Sequence, residues 1–192
     1  MNHLLAMRFS DFLAEGLDKI TKVKICYLLE SIIGEVEKIA IIFIIFSVIG
    51  KRKEVLIVIA VLISLRPYVG GFHCKNYFTC LFYSILMCAV SIFLGKFVSI
   101  YKYTKIMIVL GFGAFIVMKI PIESKDRKIY TEKMRLVIKI KALLILICIS
   151  ITSTILKRYE CEIMTMVILI LMNALLEKLR VFISNYKERE NI

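Results

Sequence analysis

The chain has 192 residues, 60% of them hydrophobic, against roughly 45–50% in a soluble domain. In water that composition would leave large apolar patches exposed, so a bilayer is the expected solvent. The formal net charge is +12, but the basic residues flank apolar runs and form no basic helix or aromatic-spaced sheet, a placement that suits anionic headgroups and excludes nucleic acid as the expected partner.

Residues 4–36 read as amphipathic helix, within an N-terminal helical region of residues 1–38. Leu4, Leu5, Phe9, Phe12, Leu13, Leu17 and Ile20 recur at helical spacing, with Asp11, Glu15, Asp18 and Lys19 between them. Such a helix lies along a membrane surface or packs on cytosolic loops. Arg8, Asp11, Glu15 and Asp18 interrupt it, so no cleavable signal peptide is expected.

Six apolar runs follow. Residues 39–50 and 55–65 are short, are separated by Lys51, Arg52, Lys53 and Glu54, and read as short spans or a re-entrant hairpin. Residues 81–101 carry only Lys96, which can snorkel. Residues 106–118, 142–156 and 163–176 carry no charge. The expected fold is all-α and integral to the membrane: about six apolar segments plus the N-terminal region, in a single domain over residues 1–192. Placing both termini and the loops 66–80 and 119–141 inside puts 19 basic residues inside and 7 outside. That bias predicts a multi-pass cell-membrane protein with a cytoplasmic 66–80 loop.

Cys26, Cys74, Cys80, Cys88, Cys148 and Cys161 form no CxxC pair, and the chain has two histidines. Neither a zinc site nor a disulfide framework is expected, and no cofactor is implied.

The segment from Arg66 to Cys80 carries the chemistry. It holds Pro67, Gly70, Gly71, His73, Cys74 and Asn76, and His73 is the only histidine beyond the extreme N-terminus. A cysteine peptidase needs a thiolate and a neighbouring His to take the thiol proton. On a straight helix His73 and Cys80, seven residues apart, would sit roughly 10 Å from each other, so the segment has to turn back. Pro67, Gly70 and Gly71 supply irregular backbone for that turn. Cys80 precedes the 81–101 run, at the N-terminal end of a membrane helix, where the dipole favours a thiolate and backbone N–H groups can hold an oxyanion. Cys74 is the rival nucleophile, though adjacent side chains diverge and it directly follows His73. Asn76 is near enough in sequence to orient His73.

The pattern Arg-x-x-x-Gly-Gly-Phe-His-x6-Cys between apolar runs resembles the accessory gene regulator B (AgrB) family, membrane peptidases that process quorum-sensing propeptides. Arg66, Gly71, His73 and Cys80 match its motif, and the order of runs and the basic loop after Pro121 are similar. The family commonly has a second proline near the end of that loop, where this chain has Arg127, Lys128 and Ile129. The resemblance implies an AgrD-like propeptide with an amphipathic leader, an internal Cys or Ser and an acidic tail. Cys80 would attack the carbonyl before the tail and form an acyl-enzyme thioester, and the internal nucleophile would then close a thiolactone or lactone ring. It also implies a homodimer, which short spans would favour. Arg66 and the basic 119–141 loop are placed to attract the acidic tail. The competing class is a small transporter or export subunit for a peptide, which predicts ionisable residues within the spans, and only Lys96 fits. A structural membrane protein would be indifferent to changes at His73 and Cys80.

Overall fold

The computed structural model describes residue 7 and residues 18–69, 77–97, 102–120 and 131–190. Among the described residues the chain is all-helical, with six α-helices and no strand. It divides into two compact units, Met1–Arg52 and Lys53–Ile192.

The first unit is built on α1 (Lys19–Val48), 30 residues long. Its start is capped: the Asp18 carboxylate accepts the Thr21 backbone N–H at 3.2 Å, satisfying one of the donors a helix N-terminus leaves open. Its end closes through Gly50, whose φ of 78° lies in the left-handed region that glycine adopts without a Cβ clash. The Gly50 N–H donates to the Ser47 carbonyl at 3.1 Å and the Lys51 N–H to the Phe46 carbonyl at 2.8 Å, the two bonds of a Schellman turn. At 1.5 Å per residue α1 is about 45 Å long. It therefore runs without a break from the N-terminal amphipathic region into the first apolar run, which the hydropathy pattern had divided at residue 38. Lys38 does not end the helix, because its ammonium pairs with Glu35 one turn back at 2.6 Å. Residues 1–6 and 8–17 of the amphipathic region lie outside the described residues.

The second unit contains α2 (Arg52–Val69, its first residue assigned to the first unit), α3 (Tyr77–Ala89), α4 (Lys102–Lys119), α5 (Glu132–Ile155) and α6 (Glu160–Glu190). Each buries one stripe. On α2 it is Val55, Val58, Leu62, Leu65 and Val69, alternating three and four residues apart. On α5 it is Ala142, Leu146, Ile149 and Ser153 at the same spacing. The opposite faces are also apolar: Phe78, Phe82 and Leu86 of α3 and Leu144, Ile147, Ile151 and Ile155 of α5 are exposed. Helices apolar on all sides suit lipid rather than water. Among the described residues, two segments, Tyr77–Leu94 and Glu132–Ile155, are long and apolar enough to cross a membrane.

α6 is the packing centre, touching α3, α4 and α5. Where α3 meets it, the helix widens into a π turn (Val90–Leu94) and then tightens into a 3-10 turn (Gly95–Phe97). Ser91 donates to the Glu162 carbonyl at 2.7 Å, and a Cβ on Gly95 would lie 3.2 Å from the Glu162 Cα. Changed winding thus brings two backbones into near contact. Lys105 of α4 donates to Thr154 of α5 at 2.8 Å and pairs with Glu160 of α6 at 2.7 Å.

Other helix bounds also differ from the apolar runs. α2 continues through Pro67, which cannot donate to the carbonyl four residues back; that missing bond falls in the last turn, where the helix is ending. α5 starts at Glu132, ten residues before its apolar run, because Lys133, Arg135, Lys139 and Lys141 lower hydropathy but are good helix formers. α6 outlasts its run, to Glu190, for the same reason.

Candidate active site

Arg66 stands in the last turn of α2, where a cation complements the negative end of the helix dipole. Cys80 is the fourth residue of α3, in its first turn, where backbone N–H groups lack intrahelical acceptors and the dipole is positive. The thiol is buried, with Cys80 only 8% exposed. The Arg66 guanidinium crosses from one helix end to the other. Its Nη2 donates toward Cys80 Sγ at 3.9 Å and its Nη1 toward Ser84 Oγ at 3.4 Å. Both contacts are long, so their strength comes chiefly from the guanidinium charge. Ser84 is buried and donates its own proton to the Cys80 carbonyl at 3.0 Å.

The structure therefore brings together Arg66 and Cys80, two of the residues singled out from the sequence. Gly70, Gly71, His73, Cys74 and Asn76 lie outside the described residues. Ser84 was missed. The signal for it was a hydroxyl in an apolar run, one helical turn after Cys80.

Other features frame the site. α6 meets the far end of α3 through Glu162, near its own start. Lys119 at the end of α4 and Lys178 on α6 are neighbours: partial loss of water and the Lys119 ammonium hold Lys178 below the ordinary lysine range. Residues 121–130 of the basic loop lie outside the described residues. A mainly apolar groove of about 590 Å³ runs between α2 and α5, lined by Ala60, Ser64, Pro67 and Tyr68 on one side and Cys148 and Thr152 on the other. Cys80 does not line it.

Comparison with curated proteins and with solved structures finds no match. The accessory gene regulator B family, in contrast, matches residues 6–183, almost the whole length, and the chain belongs to that family.

Proposed function

We propose that this chain is a multi-pass membrane cysteine endopeptidase that removes the acidic C-terminal tail of an AgrD-like autoinducer propeptide and passes the remainder on to cyclisation. The observation that carries the reading is the Arg66 guanidinium beside the Cys80 sulfur, at the positive end of α3. A thiolate is the attacking species, and a cation together with a helix N-terminus is the environment that supports one.

In this scheme His73 takes the Cys80 proton and the sulfur attacks the carbonyl preceding the tail. The oxyanion faces open N–H groups of the first turn of α3. The C–N bond breaks, His73 returns the proton to the leaving amine, and the tail departs, leaving a thioester on Cys80. The propeptide's internal thiol or hydroxyl then gives its proton to His73, attacks the thioester carbonyl, expels the Cys80 thiolate and closes the ring. A thioester retains enough free energy for this without ATP, provided the site excludes water. Paired cations such as Lys119 and Lys178 give an acidic tail a favourable potential. The catalytic loop is cytoplasmic, the apolar outer faces are solvated by lipid, and the enzyme works as a homodimer.

One observation favours the transport reading. Lys105 is buried among helices, so Lys96 is not the sole candidate for an ionisable group within the spans. Its charge is matched by Glu160, as a structural pair requires. Co-expression with the propeptide separates the two readings. Wild type should shorten the propeptide while Cys80→Ala and His73→Ala leave it at full length in the membrane fraction. Shortening by both variants at the wild-type rate would sink the peptidase reading.

A further inference from the structure

Ser84 is the one buried polar side chain on the stripe of α3 that otherwise holds Cys80, Met87 and Cys88. A serine inside a helix commonly turns its hydroxyl back to the carbonyl four residues earlier, and that bond alone slightly disfavours the helix. Ser84 makes this bond, to the carbonyl of Cys80 itself. The donation consumes its only proton, so the lone pairs of Oγ are left to accept, and the group they face is Arg66, which can only donate. One Nη therefore meets Ser84 and the other meets Cys80 Sγ, with the two acceptors a single helical turn apart.

We infer that Ser84 is a positioning residue for the nucleophile: its hydroxyl, oriented by the Cys80 carbonyl, holds the Arg66 fork so that its second nitrogen stands at Sγ. The inference rests on the peptidase reading for its consequence, but not for its geometry. Without the hydroxyl, the long Arg66 side chain loses the contact that fixes its second nitrogen, since nothing else on this stripe of α3 accepts from it apart from the sulfur. A cation donating to a sulfur favours the thiolate, which is also the form that reacts with an alkylating agent. Threonine supplies the same hydroxyl and preserves the arrangement.

The test is the rate of Cys80 carbamidomethylation by iodoacetamide at fixed pH, read by site-resolved mass spectrometry on the full chain in nanodiscs. Ser84→Ala should slow labelling roughly tenfold, the loss of one charge-assisted contact, while Ser84→Thr should label at close to the wild-type rate. Arg66→Gln should be slow, and adding Ser84→Ala to it should slow labelling no further, because the hydroxyl acts through the guanidinium. Alanine is the better helix former, so Ser84→Ala should elute from gel filtration as wild type does. Wild-type labelling of Ser84→Ala, or an undiminished Ser84→Ala effect in the Arg66→Gln background, overturns the inference. Propeptide cleavage by Cys80→Ala would overturn the peptidase reading instead, and labelling rates do not depend on that result.

Discussion

Replacing Arg66 with Lys tests whether the site needs the fork or only the charge. Both residues carry a cation at the end of α2, so the interaction with the helix dipole is preserved. Lys offers one nitrogen and cannot meet Ser84 Oγ and Cys80 Sγ together as Nη1 and Nη2 do at 3.4 and 3.9 Å. Losing one charge-assisted contact of about 1.5 kcal/mol predicts roughly a tenfold fall in kcat/KM. Arg66→Gln also removes the charge. A unit charge about 4 Å from a developing thiolate is worth about 4 kcal/mol at an effective dielectric of 20, and Arg66 is only half-buried, so about half of that is retained. Arg66→Gln should therefore fall about a further thirtyfold, to a few hundredfold below wild type. The assay is the initial rate of tail release from purified propeptide in proteoliposomes, with gel filtration to show that each variant is folded. Wild-type activity in Arg66→Lys refutes the fork argument. Equal activities of Arg66→Lys and Arg66→Gln refute the charge argument.

Three further outcomes follow from the fold. Gly95→Val should destabilise the chain by about 1–3 kcal/mol, because a Cβ meets the Glu162 Cα at 3.2 Å and the Cys161 carbonyl at 3.4 Å, backbone atoms that cannot rotate away; a lower melting temperature in detergent checks this. Lys105→Met should cost about 1–3 kcal/mol, less than for a wholly buried pair because the Glu160 side chain is 27% exposed and can rehydrate; Glu160→Gln, which keeps an acceptor for Lys105, should be milder in the same melt. Asp18 bears on pH. Its bonds to Thr21 hold the carboxylate below its ordinary value of 3.8, so the cap is fully present above 3.8 and is lost as pH falls through the lower folded value. Amide exchange in the first turn of α1 should accelerate below pH 3.8 in wild type, and Asp18→Asn should remove that pH dependence.

Helix existence and family were legible from the sequence because both depend on local pattern. Apolar runs mark α2 to α6, and the spacing of Arg66, Gly71, His73 and Cys80 marks the family. Helix extent was less legible, since hydropathy and helicity are different properties. Lys133 to Lys141 interrupt the first but not the second, and Lys38 sits in mid-helix because Glu35 neutralises it. The π turn after Ala89 was invisible. The 90–94 stretch is uniformly apolar apart from Ser91, and its winding is set by contact with Glu162, 71 residues away from that serine. Ser84 escaped for a related reason: its significance depends on Arg66, 18 residues earlier and on another helix.

In the proposed mechanism Cys80 forms a covalent bond to the propeptide. The most direct measurement is intact-mass and peptide-level mass spectrometry of wild-type enzyme incubated with a propeptide whose internal Cys or Ser is replaced by Ala, so that ring closure cannot discharge the intermediate. An adduct of the tail-less propeptide on Cys80 is expected, released by neutral hydroxylamine as a thioester is and absent from Cys80→Ala. An adduct on Cys74, or tail release by Cys80→Ala at the wild-type rate, would contradict it.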